Sequence, residues 1–462
     1  MIAKIGSQIR ITKPNRELLD WCHRELILKN PDYVKKLRMN KWVGNTPDKI
    51  CLYEWDGDTL VLPYGCMTKV AEFADRRDVV EYDMKKPKLV WYNANVPLYD
   101  YQQTAVKEAA AAYHGIIQAP AGSGKTQMGI ALAILLGRRT LWLTHTADLL
   151  NQSKERAEQY MDPDFIGTIT EGKVNIGKGI TFATVQTMSR LYLPQYRDKW
   201  DVIITDECHR VASSPTSVSM FGKVLNSLSA RHKYGLSATV HRADGLIKST
   251  FALIGPVCHT VPEEAVIGKI MTVTVCPVST GIAPTTDVLD TDGTIVYAKL
   301  ISHLAACEDR NRLIVKKLLD NASHSNLILS DRLEHLRTLM EMLPPELREQ
   351  AVMIDGKMQS KKAKEQRQIA LQQMRRGQKR FLFATYSLCK EGLDIPRLDR
   401  LYLTTPQKDY AVITQSLGRI ARVFEGKGEP IAYDFVDEKF QYLLRAYKKR
   451  CTTYRKLKCK FI

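Results

Sequence analysis

The octapeptide Ala119-Pro-Ala-Gly-Ser-Gly-Lys-Thr126 decides how this chain is read. It follows a short apolar run, Gly115-Ile-Ile-Gln118, and precedes a helix-like run from Gln127 to Leu136. Strand, glycine-rich turn, Gly-Lys-Thr and helix form the context that a phosphate-binding loop requires. Gly122 and Gly124, flanking Ser123, let the backbone bend until its N–H groups converge on phosphate oxygens. The start of the following helix adds a dipole that favours an anion. Lys125 is placed to reach the β- and γ-phosphates of a nucleotide, and Thr126 to ligate Mg²⁺. Ala119 stands where the usual G-x-x-x-x-G-K-T pattern has Gly. A chance glycine turn is the competing reading, and the residues downstream argue against it.

Val202-Ile-Ile-Thr205 reads as a strand ending at Asp206-Glu207-Cys208-His209. At such a strand end an Asp can hold Mg²⁺ and the next Glu can polarise an attacking water. Alone, the pair would pass for an acidic turn. About 80 residues after a phosphate loop, it reads as the second half of a nucleotide site. Thr140–Thr144, Ile180–Thr184 and Tyr234–Thr239 are further apolar strand runs. Asn326–Ser330, Val352–Asp355, Arg380–Thr385, Arg400–Thr404 and Pro430–Asp434 repeat the pattern later. Short apolar strands alternating with helices predict an α/β chain of parallel sheets covered on both faces. Its ligands belong at the carboxyl ends of the strands.

The chain has 462 residues and a formal charge of +18, which points to a polyanionic partner, nucleic acid above all. A solvated basic surface is the bland alternative. The ten cysteines are scattered without C-x-x-C, which predicts a reduced, cytoplasmic setting. The acidic neighbours of Cys208 argue against a nucleophile. The chain opens without a signal-peptide pattern. Its longest apolar run, Ile130 to Leu136, is far short of the ~20 residues of a membrane span.

The expected organisation is a small α+β domain over residues 1–95, an α/β domain over 96–255, a connector with strands over 256–310, a second α/β domain over 311–438, and a basic helix or tail over 439–462. In the first domain, Lys35, Lys36, Arg38, Lys41, Arg76, Arg77, Lys85, Lys86 and Lys88 interleave with Trp21, Trp42, Trp55 and Trp91. That mixture suits nucleic-acid contact; a solvated face over a tryptophan core is the alternative. The tail holds nine Lys/Arg and no Asp/Glu. If Leu443, Leu444 and Tyr447 pack inward, Lys448, Lys449, Arg450, Arg455, Lys456, Lys458 and Lys460 are free to meet phosphates; a solvated or frayed terminus is the alternative.

In order and spacing, residues 96 to 435 resemble the superfamily 2 helicases and translocases. Gln102 resembles the adenine-reading glutamine ahead of the phosphate loop, and Asp206-Glu-Cys-His209 a DExH box. Thr144 to Gln152 resembles motif Ia, Thr184-Val-Gln186 motif Ic, and Ser237-Ala-Thr239 motif III. Leu327 to Leu336 resembles motif IV. Ala384-Thr385 through Glu391-Gly-Leu-Asp-Ile-Pro396 resembles motif V, and Gln415-Ser-Leu-Gly-Arg-Ile-Ala-Arg422 motif VI.

The resemblance implies two tandem RecA-like domains that use ATP and Mg²⁺. It implies Glu207 as base, with Gln415, Arg419 and Arg422 acting on the transferred phosphoryl group, and Gly392 and Asp394 in the nucleotide site. It assigns coupling to His209, Ser237 and Thr239, and nucleic-acid contacts to Thr144, Gln152, Thr184, Gln186 and Thr385. Gly235-Leu-Ser-Ala-Thr-Val-His-Arg-Ala-Asp-Gly245 is similar to the form found in phage UvsW-type and XPB-type enzymes, with Val240 replacing the usual Pro. Those relatives act on duplex or branched DNA, so branched or forked DNA is the implied partner, and a host cytoplasm the setting if the chain is phage-encoded. An RNA-directed helicase is the alternative, and a nucleotide-gated binding protein that does not unwind a weaker one.

Overall fold

The computed structural model describes residues 1–462 except 121, 241–244, 267–270, 284–287, 289–295, 355–360, 391, 392 and 394. It also leaves out the side chains of 213, 217, 361, 362, 364, 389 and 390. The chain divides into two compact units: residues 1–120 with 124–265, and residues 266–462 with 121–123.

The first unit is built on an eight-stranded sheet. Its order is Lys173–Asn175, Ile166–Thr170, Ile180–Thr184, Thr140–Thr144, Val202–Asp206, His232–Ser237, Gly115–Gln118 and Val257–Thr260. All neighbours pair in parallel except the outermost hairpin at Lys173–Asn175. Every residue of Thr140–Thr144 and Val202–Asp206 is buried, as expected of strands covered on both faces. Parallel pairing turns all of these strand ends to one edge, which collects the motif residues.

The second unit carries a seven-stranded, wholly parallel sheet. Its order is Ala351–Ile354, Phe381–Thr385, Asn326–Ser330, Arg400–Leu403, Ile431–Val436, Thr274–Ser279 and Lys460–Phe461. Of the stretch read as a connector, Val257–Thr260 joins the first sheet and Thr274–Ser279 the second.

The basic terminus is likewise part of a packed unit. Helix Gln441–Lys456 buries Leu443, Ala446, Arg450, Thr453 and Tyr454, and Lys460–Phe461 adds an edge strand. The expectation that Arg450 faces DNA phosphates is therefore corrected. Its place in the helical period puts it on the inward stripe. There its Nε and one terminal nitrogen donate to the two carboxylate oxygens of Asp434, at 2.8 and 2.7 Å.

The N-terminal part of the first unit is a five-stranded sheet, Glu54–Asp56, Thr59–Pro63, Gln8–Thr12, Ile2–Ile5 and Val79–Tyr82. Asn15 caps helix Arg16–Glu25 by accepting from Leu18 N at 2.9 Å. This sheet is seated on the eight-stranded sheet rather than hung from it. Tyr64 donates to Arg231 O at 2.5 Å, and Lys233 Nζ donates to Ser7 O at 3.0 Å and Leu225 O at 2.6 Å. Burial pushes the Lys233 amine down to about 7. Gly65 is required where the two layers meet: a Cβ there would lie 2.4 Å from Phe251 O. Trp42 and Trp91 are each 88% exposed, so they form surface, not a tryptophan core. Among the described residues no helix is long and apolar enough to cross a membrane.

Candidate active site

The phosphate loop leaves strand Gly115–Gln118 and enters helix Lys125–Leu136. Gly122 (φ 83°) and Gly124 (φ 79°) both adopt left-handed backbone, which turns successive N–H groups towards one concavity. Ser123 is buried and Thr126 half-buried. Lys125 Nζ lies 3.5 Å from Ala119 O and 3.9 Å from Glu207 Oε1. Gln102 is buried against the loop; its Oε1 accepts from Tyr99 N at 2.9 Å, closing the turn that starts helix Asp100–Ala112.

Asp206 and Glu207 follow strand Val202–Asp206. Asp206 is 4% exposed. Its two carboxylate oxygens accept from Ser153 Oγ at 3.2 Å and from Glu207 N at 2.9 Å. Burial pushes its carboxyl up to about 7, and the neighbouring charge of Glu207 pushes the same way. Two adjacent carboxylates face the single charge of Lys125, and a divalent cation would supply the difference. This donor set, with the left-handed glycine loop, fits a nucleotide with Mg²⁺. Thr126 and Asp206 are the residues that would hold the ion. Ser153 was not foreseen: nothing in its own residue type marks it, and only the facing of helix Ala147–Ala157 turns it towards Asp206.

Glu207 sits at φ 46°, a strained backbone for a non-glycine residue. Its Oε2 lies 3.2 Å from His209 Nδ1, which in turn lies 3.1 Å from Ser237 Oγ. Ser237 Oγ donates to Thr239 O at 2.7 Å and accepts from Thr239 N at 3.2 Å. Ser237 O also accepts from Ala119 N at 2.9 Å, so this strand end is bonded to both halves of the site. Cys208 is fully buried, and burial, more than its acidic neighbours, pushes its thiol well above the usual range.

Two of the expected nucleic-acid contacts, Thr144 and Thr184, have their hydroxyls engaged within the fold. Thr144 is fully buried, and its hydroxyl donates to Thr146 O at 3.0 Å. Thr184 caps helix Val185–Arg190 by accepting from Thr187 N. Both hydroxyls shape their loops and do not reach outward. Gln186 donates to His145 O at 2.8 Å and ties the two loops together, while Gln152 is half-buried.

In the second unit, helix Tyr410–Ile420 carries Gln415, 9% exposed, and Arg419, whose guanidinium donates to Leu393 O at 3.0 Å. Arg422 is half-buried just beyond it. Thr385 pairs with Ser387 through their hydroxyls at 2.9 Å. Gly392 and Asp394 lie outside the described residues.

Residues 95–242 match the family described as Type III restriction enzyme, res subunit, and residues 309–424 match the Helicase conserved C-terminal domain. The two lie in tandem and together cover more than half of the chain. This chain is a superfamily 2 helicase. The helicase is 24% identical to helicase D10 of Escherichia phage T5 over 442 residues, covering 92% of this chain and 88% of D10. It is 31% identical to the DNA 3'-5' translocase XPB2 of Sulfurisphaera tokodaii over 204 residues, 42% of this chain and 45% of that one. Protein L396 of Acanthamoeba polyphaga mimivirus, whose name is that of an ATP-dependent RNA helicase, is 27% identical over 354 residues, 74% of this chain and 64% of L396. The helicase thus spans less than two thirds of the length of L396 and of XPB2. The structure of S. cerevisiae Dbp5 bound to RNA and ADP BeF3 shares the fold at TM-score 0.57 and 14% identity, covering 79% of this chain and 94% of that one.

Proposed function

We propose that this helicase uses ATP hydrolysis to remodel branched or forked DNA: reversing forks, migrating branches and unwinding duplex. The observation that carries the reading is the chain of side chains from Lys125 through Glu207 and His209 to Ser237. It ties phosphate-loop chemistry to the Gly235–Gly245 stretch, whose form is that of DNA-directed relatives. The name of XPB2, a DNA translocase, supports the same substrate class. The +18 charge and the exposed Trp42 and Trp91 supply a basic, aromatic surface on which a nucleic-acid strand can lie.

In this reading Lys125 and the loop N–H groups hold the β- and γ-phosphates, and Gln102 abuts the base. Bound Mg²⁺ would neutralise charge on the phosphate oxygens. Glu207 accepts the proton of the attacking water, with His209 fixing its orientation. Gln415, Arg419 and Arg422 stabilise charge that develops in the transition state. Because hydrolysis needs residues from both domains, nucleotide state is linked to grip on the strand.

ATPase activity measured with forked DNA, linear duplex, single-stranded DNA and RNA tests the substrate class. Forked DNA is expected to stimulate most. Equal or greater stimulation by RNA would transfer the assignment to an RNA-directed enzyme, the reading favoured by the name of L396. Glu207→Gln should bind ATP and hydrolyse none in every arm.

A further inference from the structure

The motif residues follow the carboxyl ends of the first sheet. A separate cavity of about 280 Å³ opens at its amino end. Arg139 precedes strand Thr140–Thr144, Asp201 precedes Val202–Asp206, and Ser229 precedes His232–Ser237. These strands are five or six residues long, so the cavity lies roughly 17 Å from the phosphate-loop edge at ~3.3 Å per residue. It is distinct from the nucleotide site.

Six cations line it: Lys85, Lys86, Lys88, Arg139, Arg197 and Lys199. Two carboxylates oppose them, Asp198 and Asp201. Lys85 lies 3.6 Å from Asp198, and Arg197 is committed to Asp83 at 2.9 Å. Among the described residues the side chains of Lys86, Lys88, Arg139 and Lys199 have no ion-pair partner. The wall adds a second observation. Trp200 Nε1, Ser229 Oγ and Asp198 Oδ1 are buried behind the lining without a hydrogen-bond partner, so the wall holds an acceptor as well as donors. Buried donors are almost always satisfied. Six cations against two carboxylates, with four of the cations unpaired among the described residues, give the cavity the positive charge that an oxyanion would neutralise. Arg197 O accepts from Ser229 N at 2.7 Å, and Arg139 O from Asp201 N at 3.0 Å, so the wall is held by backbone bonds.

We propose that this cavity binds a phosphate group, either a backbone phosphodiester of the nucleic acid or free phosphate. In the first case it is a grip on the track placed behind the motor sheet. The phosphate assignment does not depend on the DNA-directed reading, and a failure of that reading in the ATPase comparison leaves it standing.

The test uses the full-length protein saturated with ADP and Mg²⁺, so that the phosphate loop is occupied. Inorganic phosphate is titrated by calorimetry into wild type and into the triple variant Lys86→Gln, Arg139→Gln, Lys199→Gln. In parallel, affinity for a 20-base-pair duplex is measured against salt concentration. A control triple removes equal charge at exposed Lys107, Lys173 and Lys316. The cavity triple is expected to weaken phosphate binding at least tenfold, or to flatten the log-affinity versus log-salt slope by about 0.9 for each DNA phosphate no longer neutralised, beyond the control. Flattening assigns the phosphate to DNA; loss of inorganic phosphate binding with an unchanged slope assigns free phosphate. Circular dichroism and thermal unfolding of the cavity triple, expected to match wild type, guard against misfolding. If wild type takes up no inorganic phosphate and the cavity triple matches the control on duplex, the proposal is overturned.

Discussion

A Cβ built on Gly124 would lie 2.4 Å from Gln102 Nε2: the phosphate loop and the glutamine ahead of it are tightly packed. The glutamine has little freedom to retreat, because it is buried and its other terminal atom is bonded to Tyr99 N. Gly124→Ala therefore meets both a clash and a left-handed backbone that costs a non-glycine residue ~1–2 kcal/mol. We expect ATPase to fall by at least a hundredfold while far-ultraviolet circular dichroism stays unchanged. Turnover within threefold of wild type would show that the loop tolerates a side chain there.

Ser237 touches His209 and Thr239 and not the phosphate loop's lysine. Ser237→Ala should leave basal ATPase within a few-fold and reduce its stimulation by nucleic acid about tenfold. A parallel loss of basal and stimulated rates would mean that the hydroxyl only orients Glu207.

Asp434 is 1% exposed and accepts from both Arg450 and Tyr454. Arg450→Ala strands that carboxylate, and breaking one partner of a buried pair costs about 3–5 kcal/mol. Urea unfolding should show this loss. Lys448→Gln with Lys449→Gln, on the exposed face of the same helix, should change stability by less than about 0.5 kcal/mol. Equal destabilisation by both variants would refute the inward assignment of Arg450.

His335 is buried between Ser330 and Asn311. Burial, aided by the Arg310 charge, pushes its imidazole down to about 3. Its folded value lies below the ~6.5 of an unfolded histidine, so the unfolded chain binds the extra proton. The stability it confers is complete above pH 6.5 and is lost as pH falls from 6.5 towards 3. Carboxylates titrate in the same range, so the comparison is between wild type and His335→Gln. Stability of the variant should fall less steeply between pH 6.5 and 4. Parallel slopes would place a protonated imidazole in the fold.

Deleting residues 1–95 removes Ser7 and Tyr64 from Lys233 and Arg231, and uncovers Ala252, which packs in the N-terminal core. The truncated motor should unfold at a lower temperature than the intact chain. An unchanged midpoint would mean the N-terminal sheet is an independent attachment.

The sequence by itself determined the parts whose information is local. A glycine loop between strand and helix, an Asp-Glu at a strand end and Ser-Ala-Thr at the next each declare themselves by residue type and spacing. The parallel α/β architecture followed from apolar runs of strand length alternating with helices. Facing and long-range pairing were left to the tertiary structure. Arg450 lies in a run of nine cations, yet the helical period and a carboxylate 16 residues away draw it inward. Thr144 and Thr184 carry motif positions, but burial and capping consume their hydroxyls. Lys233 ends up under a different sheet, Ser153 under Asp206, and six cations from three separate stretches surround one cavity. Each of these depends on which residues packing brings together from distant parts of the chain, and a one-dimensional pattern contains no term for that.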